Sequence, residues 1–337
     1  MQLAKKGLGT ARPNPSVGAV VVYQNKIIGE GFTSPYGESH AEVNAINSVK
    51  DKALLKEATI YVTLEPCSHF GKTPPCADLL VKHQFKNVVI GCVDTNVLVA
   101  GKGIKRLKNA GINVLVGVLE EACLEHHKRF FTVQNKKRPY IILKWAVTKE
   151  GYIAPEFKEE QKPIWISNHY SQQLVHKWRS EEHAILVGTN TVIADNPQLN
   201  VRSWSGQSPV RIVLDRNLRI PLDARVFDAT VKTIVCTASP NNAQEVGGNI
   251  IFEAIDFSKN LGSQICNVLQ KHKIQSVIIE GGATTLQTFI DENLWDEARV
   301  FRGNIQLDSG LKPPNFSGKL SSEMNIKNDV LKMYRND

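Results

Sequence analysis

Three side chains able to bind a borderline-soft metal recur in order in the amino-terminal third of the chain. They are His40 in Ser39-His40-Ala41-Glu42, Cys67 in Pro66-Cys67 and Cys76 in Pro74-Pro75-Cys76. One imidazole and two thiolates suit tetrahedral zinc, and three protein ligands leave a fourth position for water. Zinc lowers the pKa of such a water to about 7, which makes hydroxide available at neutral pH. A carboxylate beside the ion, not bound to it, can then move protons between that water and a leaving group. Glu42, two residues after His40 at the start of a helical pattern, is placed for that role. Cys76 follows two prolines at another helix start, where the helix dipole favours a thiolate. Plainer readings stand beside these. Ser39 to Glu42 also fits a capping box, with Ser39 as N-cap and Glu42 at the third helical position. Two cysteines with eight residues between them are, taken alone, more often unrelated thiols. Each in a strand–helix context, and together, they favour zinc.

The second half carries weaker signals. Ile278-Ile279-Glu280-Gly281-Gly282-Ala283-Thr284 reads as a strand running through glycines into a helix, where backbone N–H groups can approach a phosphate. It is not the Gly-x-Gly-x-x-Gly fingerprint, so it does not support a Rossmann assignment, and a tight turn is the simpler reading. Ala194 to Arg202 reads as a structured loop with an arginine able to grip an anion, or as a surface turn with an exposed arginine.

These groups need elements to hold them. In the first half, strand patterns at Val17–Tyr23 and Ile27–Phe32 flank a turn at Asn25-Lys26 and predict a hairpin. Helical spacing over Ala41–Val49, Cys76–Lys82 and Ile104–Ala110 alternates with strands at Thr59–Leu64, Val88–Val93 and Val114–Val118. This order predicts a mostly parallel sheet covered by helices on both faces. The second half repeats the alternation without repeating the sequence. Its strands are expected at Tyr140–Val147, Ala184–Val187, Val210–Leu214, Thr233–Cys236, Ser276–Glu280 and Ala298–Phe301. Its helices are expected at Gln172–Arg179, Leu261–Lys271 and Thr284–Glu292. Two α/β domains follow, and 337 residues also favour two at roughly 100–200 residues each.

Composition narrows the classes. The 42% apolar and 22% charged content is ordinary globular usage and argues against disorder or a fibrous repeat. No apolar run reaches the ~18–20 residues of a membrane span, and the first residues do not read as a signal peptide. No membrane partner and a cytoplasmic location are therefore expected, and the six unevenly spaced cysteines read as thiols or ligands, not a disulfide framework. Cys92, Cys123, Cys236 and Cys266 fall in apolar patterns and are expected to be buried thiols. The net charge of +8 points to nucleic acid or a phosphorylated small molecule. Residues 1–137 hold 18 basic against 11 acidic residues, so most of the excess lies there. The excess ends at Asn135-Lys136-Lys137-Arg138-Pro139, a plausible linker, which sets domain limits of 1–137 and 138–337.

His-x-Glu followed by Pro-Cys-x-x-Cys is the signature of zinc deaminases. Here the first part is intact and the cysteines are further apart. The run Pro66-Cys67-Ser68-His69-Phe70-Gly71-Lys72-Thr73-Pro74-Pro75-Cys76, with Pro13-Asn14-Pro15-Ser16-Val17-Gly18 upstream, resembles the bifunctional riboflavin-biosynthesis deaminase–reductase family. The resemblance continues through Leu143-Lys144-Trp145-Ala146, Trp165-Ile166-Ser167, Val187 to Val192, Ala194 to Arg202, Arg211 to Asp215 and Glu280-Gly281-Gly282, and so runs over essentially the whole chain.

The resemblance implies an amino-terminal cytidine-deaminase-like αβα domain and a carboxy-terminal dihydrofolate-reductase-like domain. It implies one zinc per chain on His40, Cys67 and Cys76, with Glu42 as proton shuttle. Asn14, His69, Lys72, Asp94 and Asn96 would line the pocket of a phosphorylated pyrimidine. Lys72 reads equally well as a solvated loop lysine. In the reductase half, Ser167, Arg179, Leu199, Arg202 and Glu280 would contact substrate. Ala146, Trp165, Thr191, Asp195, Gly282 and Ala283 would contact NADPH. Lys144 would polarise or protonate at the sugar carbon; otherwise it is a strand-end lysine that snorkels to water. A homo-oligomer and no nucleic-acid partner are expected. The chain departs from the family at three places: Asp94-Thr95-Asn96-Val97 lacks both prolines of the usual Asp-Pro-Asn-Pro, Thr148-Lys149-Glu150-Gly151 replaces Ser-x-Asp-Gly, and Pro155 to Lys162 is a charged insertion. Two other readings stay open: a nucleic-acid base deaminase with an accessory domain, and a binding protein with a vestigial zinc site.

Overall fold

Apolar stretches of strand and helix period alternate along the chain, and they gather into two compact units, Met1–Lys137 and Arg138–Asp337. The computed structural model describes residues 1–70, 74–95, 100–240 and 248–336.

In the first unit a short helix α1 (Gln2–Lys6) precedes the hairpin β1 (Gly18–Tyr23) and β2 (Lys26–Phe32). There follow α2 (Ala41–Ser48), β3 (Thr59–Leu64), α3 (Cys76–Lys82), β4 (Asn87–Cys92), α4 (Lys102–Asn109), β5 (Asn113–Val116) and α5 (Glu120–Lys136). The strand order is β2-β1-β3-β4-β5. Strand β1 is antiparallel to both neighbours, while β3, β4 and β5 are mutually parallel. Strands β2, β3 and β4 therefore run the same way, and their carboxyl ends leave the sheet on one side. The hairpin turns one residue earlier than expected: Gln24 and Asn25 take the left-handed conformation, at φ 46° and 60°. Two such residues match the twist of a two-residue hairpin loop, and they free Lys26 to pair with Tyr23.

Helix α2 is seated closest on β2 at Gly31. A Cβ on Gly31 would lie 2.3 Å from the Ala45 nitrogen and 2.4 Å from the Ala41 oxygen. The buried Ala41, Ala45 and Ile46 join Val21, Ile60, Val62, Leu80 and Ile90 in one core. Helix α5, whose Cys123, Phe130 and Phe131 enter the same core, is an element the periodicity did not announce. Its 17 residues run through Asn135 and Lys136, so the basic stretch is the last turn of a helix. Lys137, left-handed at φ 52°, ends it, and the connection is Lys137 to Pro139.

The second unit contains β6 (Tyr140–Val147), α6 (His169–Glu181), β7 (Ala184–Gly188), α7 (Thr189–Asp195), β8 (Val210–Leu214), β9 (Thr233–Thr237) and β10 (Ile250–Ala254). It continues with α8 (Leu261–Lys271), β11 (Ser276–Ile279), α9 (Ala283–Asp291), β12 (Glu297–Arg302), β13 (Lys319–Ile326) and β14 (Asp329–Arg335). The strands order as β10-β9-β8-β7-β11-β6-β12-β14-β13. All pairs from β10 to β12 are parallel, and β14 is antiparallel to β12 and β13. Period-two alternation divides β6 between two cores. Ile141, Leu143 and Trp145 meet Ile265 and Leu269 of α8 and Leu286 and Phe289 of α9. Tyr140 and Ile142 meet Val175 and Trp178 of α6. Burial on both faces is why these strands read as unbroken apolar runs.

The close seat of α2 yields a test. Gly31→Ala should cost about 1–3 kcal/mol in denaturant unfolding, because the two nearest atoms it meets are backbone and cannot turn away. Gly248→Ala, with nothing within 4 Å among the described residues, should shift stability by no more than about 0.5 kcal/mol. Equal costs would show that α2 can move off β2.

Candidate active sites

In the first unit the reactive residues sit where strands hand the chain to helices. His40 is the N-cap of α2, Cys67 lies in the loop after β3, and Cys76 opens α3. The Nδ1 atom of His40 lies 3.6 Å from the Cys67 Sγ and 3.3 Å from the Cys76 Sγ. All three donor atoms lie within 4.8 Å of one another. A tetrahedral zinc with Zn–S of about 2.3 Å and Zn–N of about 2.0–2.1 Å has N···S edges of about 3.6 Å. The triad thus has both the donors and the spacing for that ion.

The electrostatics of the triad suit a cation. The hydrogen bond with Cys76, aided by His40, holds the Cys67 thiol down to about 4. The Cys76 backbone N–H also donates to the Cys67 sulfur at 3.3 Å. The hydrogen bond with Cys67 and then burial push Cys76 well above the usual thiol range. Contact with Cys67 raises His40 against the opposing effect of burial. Glu42 stands beside the triad and is 4% exposed. Burial pushes its carboxyl up to about 7, the Cys67 charge adds to the rise, and His40 opposes it. The capping-box alternative does not form: the helix starts at Ala41, His40 occupies the N-cap, and no side chain caps it.

Glu65, which the sequence reading passed over, ties this site to the next loop. Its buried carboxylate accepts N–H bonds from Asp94 (3.3 Å), Gly101 (2.9 Å), Gly103 (2.9 Å) and Ile104 (3.2 Å). A charged residue directly after an apolar strand, just before Pro66-Cys67, was the available signal. Of the other expected pocket residues, Asn14 is half-buried, with its N–H donating to the Ala11 oxygen at 3.0 Å. His69 is exposed and Asp94 is buried. Lys72 and Asn96 lie outside the described residues.

In the second unit sheet register does the positioning. Ile279 of β11 pairs with Leu143 of β6, so Glu280 and Lys144 are level on neighbouring strands. The Lys144 Nζ is 4.0 Å from the Glu280 Oε2, and the Arg179 Nη2 of α6 donates to that same oxygen at 2.8 Å. Burial would raise the Glu280 carboxyl, but Arg179 and Lys144 hold it down at about 2. Burial, and secondarily Arg179, push the Lys144 ammonium below its usual range while Glu280 resists. Among the described residues the Arg179 Nε and Glu280 Oε1 are buried without a hydrogen-bond partner. Arg202 donates from Nη1 to the Asn200 Oδ1 at 2.7 Å.

The remaining expected residues fall into distinct places. The Gly282 N–H donates to the Thr191 Oγ1 at 3.0 Å, and Gly282 caps α9, which Ala283 begins. Asp195 ends α7 and forms an ion pair with Lys158 of the charged insertion. Gln161 of that insertion donates to the Ile193 oxygen at 2.7 Å. Ala146 is half-buried on β6 and Trp165 is exposed. The Ser167 oxygen accepts from the Gln172 Nε2 at 2.8 Å. Leu199 is left-handed at φ 56°, and its side chain is buried in the core with Ile185, Val187 and Val192. Any ligand contact from that position is limited to its main chain.

The donor geometry has a direct consequence for metal content. Purified protein should hold about one zinc per chain by elemental analysis. Cys67→Ser should lower zinc affinity by about tenfold or more, since it removes a ligand outright. Retention of zinc by that variant at wild-type affinity would overturn the triad.

Comparison with known proteins places both halves. The cytidine and deoxycytidylate deaminase zinc-binding region matches residues 1–92, and the RibD C-terminal domain matches residues 139–333. A riboflavin biosynthesis protein RibD from Aquifex aeolicus is 43% identical, covering 92% of this chain and 86% of its own length. The protein of that name from Bacillus amyloliquefaciens is 38% identical, covering 95% and 86%. The crystal structure of a diaminohydroxyphosphoribosylaminopyrimidine deaminase/5-amino-6-(5-phosphoribosylamino)uracil reductase from Thermotoga maritima matches with a TM-score of 0.90 and 37% identity, over 100% of this chain and 96% of that one. Among the described residues no helix is long and apolar enough to cross a membrane. The chain belongs to the bifunctional riboflavin-biosynthesis deaminase–reductases, with a zinc-dependent deaminase domain followed by an NADPH-dependent reductase domain.

Proposed function

We propose that residues 1–137 hydrolyse the exocyclic amino group of 2,5-diamino-6-ribosylamino-4(3H)-pyrimidinone 5′-phosphate, and that residues 138–337 reduce the ribosyl group of the product to ribityl. The observation that carries the first step is the convergence of His40, Cys67 and Cys76 beside a buried carboxylate that is not a ligand. His40, Cys67 and Cys76 would hold zinc, which when bound supplies a Lewis acid that makes water nucleophilic near neutral pH. Glu42 takes the proton of the attacking water and delivers it to the departing nitrogen. One C–N bond breaks, one C–O bond forms, and ammonia leaves. A carboxyl raised toward neutrality by burial can both accept and return a proton, the requirement for a shuttle. Asn14, His69, Lys72, Asp94 and Asn96 are the remaining pocket residues in this reading.

For the second step, Arg179, Arg202 and Glu280 hold the substrate, with Ser167 and the Leu199 main chain beside them. NADPH, which supplies the hydride to C1′, is assigned to Ala146, Trp165, Thr191, Asp195, Gly282 and Ala283. Lys144, level with Glu280 on the neighbouring strand, polarises the sugar C1′ or gives its proton to the heteroatom bonded to C1′ as the hydride arrives. Its lowered pKa eases release of a proton. A homo-oligomer is part of the reading, supported by β13, an edge strand exposed from Lys319 to Asn325. So is a cytoplasmic location, supported by six cysteines that are all free.

Glu42→Gln tests the division of labour. It should lower the deamination rate by about 10²–10⁴-fold while NADPH oxidation with the deaminated phosphate substrate stays unchanged. Loss of both activities would contradict two separable sites.

A further inference from the structure

Arg179 and Arg202 stand 23 positions apart in the chain, and one buried imidazole stands between them. His176 lies one helical turn before Arg179 on α6 and is 5% exposed. Its Nδ1 accepts the Arg202 backbone N–H at 3.2 Å. The Asn200 oxygen accepts from the Arg179 Nη1 at 3.3 Å, and its side-chain oxygen holds the Arg202 guanidinium. Thus α6 clamps the segment Asn200-Val201-Arg202 at two successive turns, His176 on the main chain of Arg202 and Arg179 on that of Asn200.

The charge around this clamp is incomplete. Lys144 and Arg179 share the single carboxylate of Glu280, whereas the Arg202 hydrogen bond described above goes to a neutral amide. Among the described residues the Arg179 Nε is buried without a partner. Lys144 and Arg179, both half-buried, set two cations against one carboxylate, and the exposed Arg202 adds a third, so the cluster carries a surplus of positive charge that a phosphate complements. The Nδ1 of His176 can accept only while the ring is neutral. Burial, with Arg179 and Arg202 nearby, pushes its pKa down to about 4, which keeps the ring neutral at pH 7.

We infer that His176 is a positioning residue of the reductase. It fixes the Asn200–Arg202 main chain so that Arg202 and Arg179 address one phosphate group of the substrate. This rests on the reading of Arg179 and Arg202 as substrate residues. His176 itself touches neither substrate nor cofactor. Its contribution falls on phosphate recognition, not on hydride transfer.

Steady-state kinetics of the full chain separates these effects. His176→Leu, which cannot accept the Arg202 N–H, should raise KM for the deaminated phosphate substrate by about tenfold. The inhibition constant of inorganic phosphate should rise in parallel. In the same preparation KM for NADPH, reductase kcat and the deaminase rate should stay within about twofold. His176→Asn, whose side-chain oxygen can replace Nδ1 as acceptor, should recover most of the loss and also guards against a misfolded leucine variant. Equal rises in both KM values, a fall in kcat alone, or an asparagine variant no better than leucine would each overturn the inference. Arg202→Ala distinguishes the two levels. A raised substrate KM there, with His176→Leu unchanged, sinks the role of His176 alone. An unchanged KM in Arg202→Ala sinks the phosphate reading with it.

Discussion

Parallel strands cannot be joined by tight turns, so each must end in a crossover that returns along the sheet. That constraint sends the carboxyl ends of neighbouring strands to one side, where successive loops and helix starts lie together. In the first unit β2, β3 and β4 share a direction, and the loops after them bring His40, Cys67 and Asp94. In the second unit β6, β7 and β11 also share a direction; β6 itself carries Lys144, and the ends of β7 and β11 lead into α7 and Glu280. Residues distant in sequence meet because topology leaves their strands no other exit. The precision then comes from shorter-range contacts: two backbones pressed together at Gly31, and a one-to-one register between Ile279 and Leu143.

The two sites manage buried charge in opposite ways. Around His40 the anionic character of the thiols is concentrated on Cys67, and a carboxylate is kept near neutrality beside it. That arrangement attracts a dication and leaves a group free to trade protons. Around Glu280 cations outnumber the carboxylate, and atoms of both Arg179 and Glu280 lack partners among the described residues. Unpaired buried polar atoms destabilise a fold, so their presence beside a cation-rich cluster is expected where a polar ligand completes the set. The same logic explains the long lever of His176: a neutral group is what can sit between two arginines and still accept a hydrogen bond.

Much of this was legible in the sequence, for identifiable reasons. The ligands and Glu42 are marked by residue type and by prolines that start helices, signals that survive without tertiary context. The β6, β8 and α8 limits match the apolar runs because each is a two-sided core strand or a helix with one sharp apolar stripe. Helix α5 was missed because its buried positions are interleaved with Glu125, His126, Lys128 and Arg129, which blur the periodicity, while His127 is buried as a polar residue. Leu199 could not be recognised as a core residue from a loop-like context. Glu65 was marked by little more than its charge after an apolar strand, and His176 by nothing. Their partners are backbone N–H groups far along the chain, and a main-chain donor carries no residue identity to read.

The central claim is that one chain performs a metal-dependent hydrolysis and a reduction in two separate units. Incubation with the diaminopyrimidine ribosyl phosphate, followed by mass analysis of the products, addresses it most directly. Without NADPH the product should be the deaminated ribosyl compound, heavier than the substrate by about one mass unit. With NADPH it should gain about two further units. A product reduced but not deaminated, or no mass change without NADPH, would contradict the account.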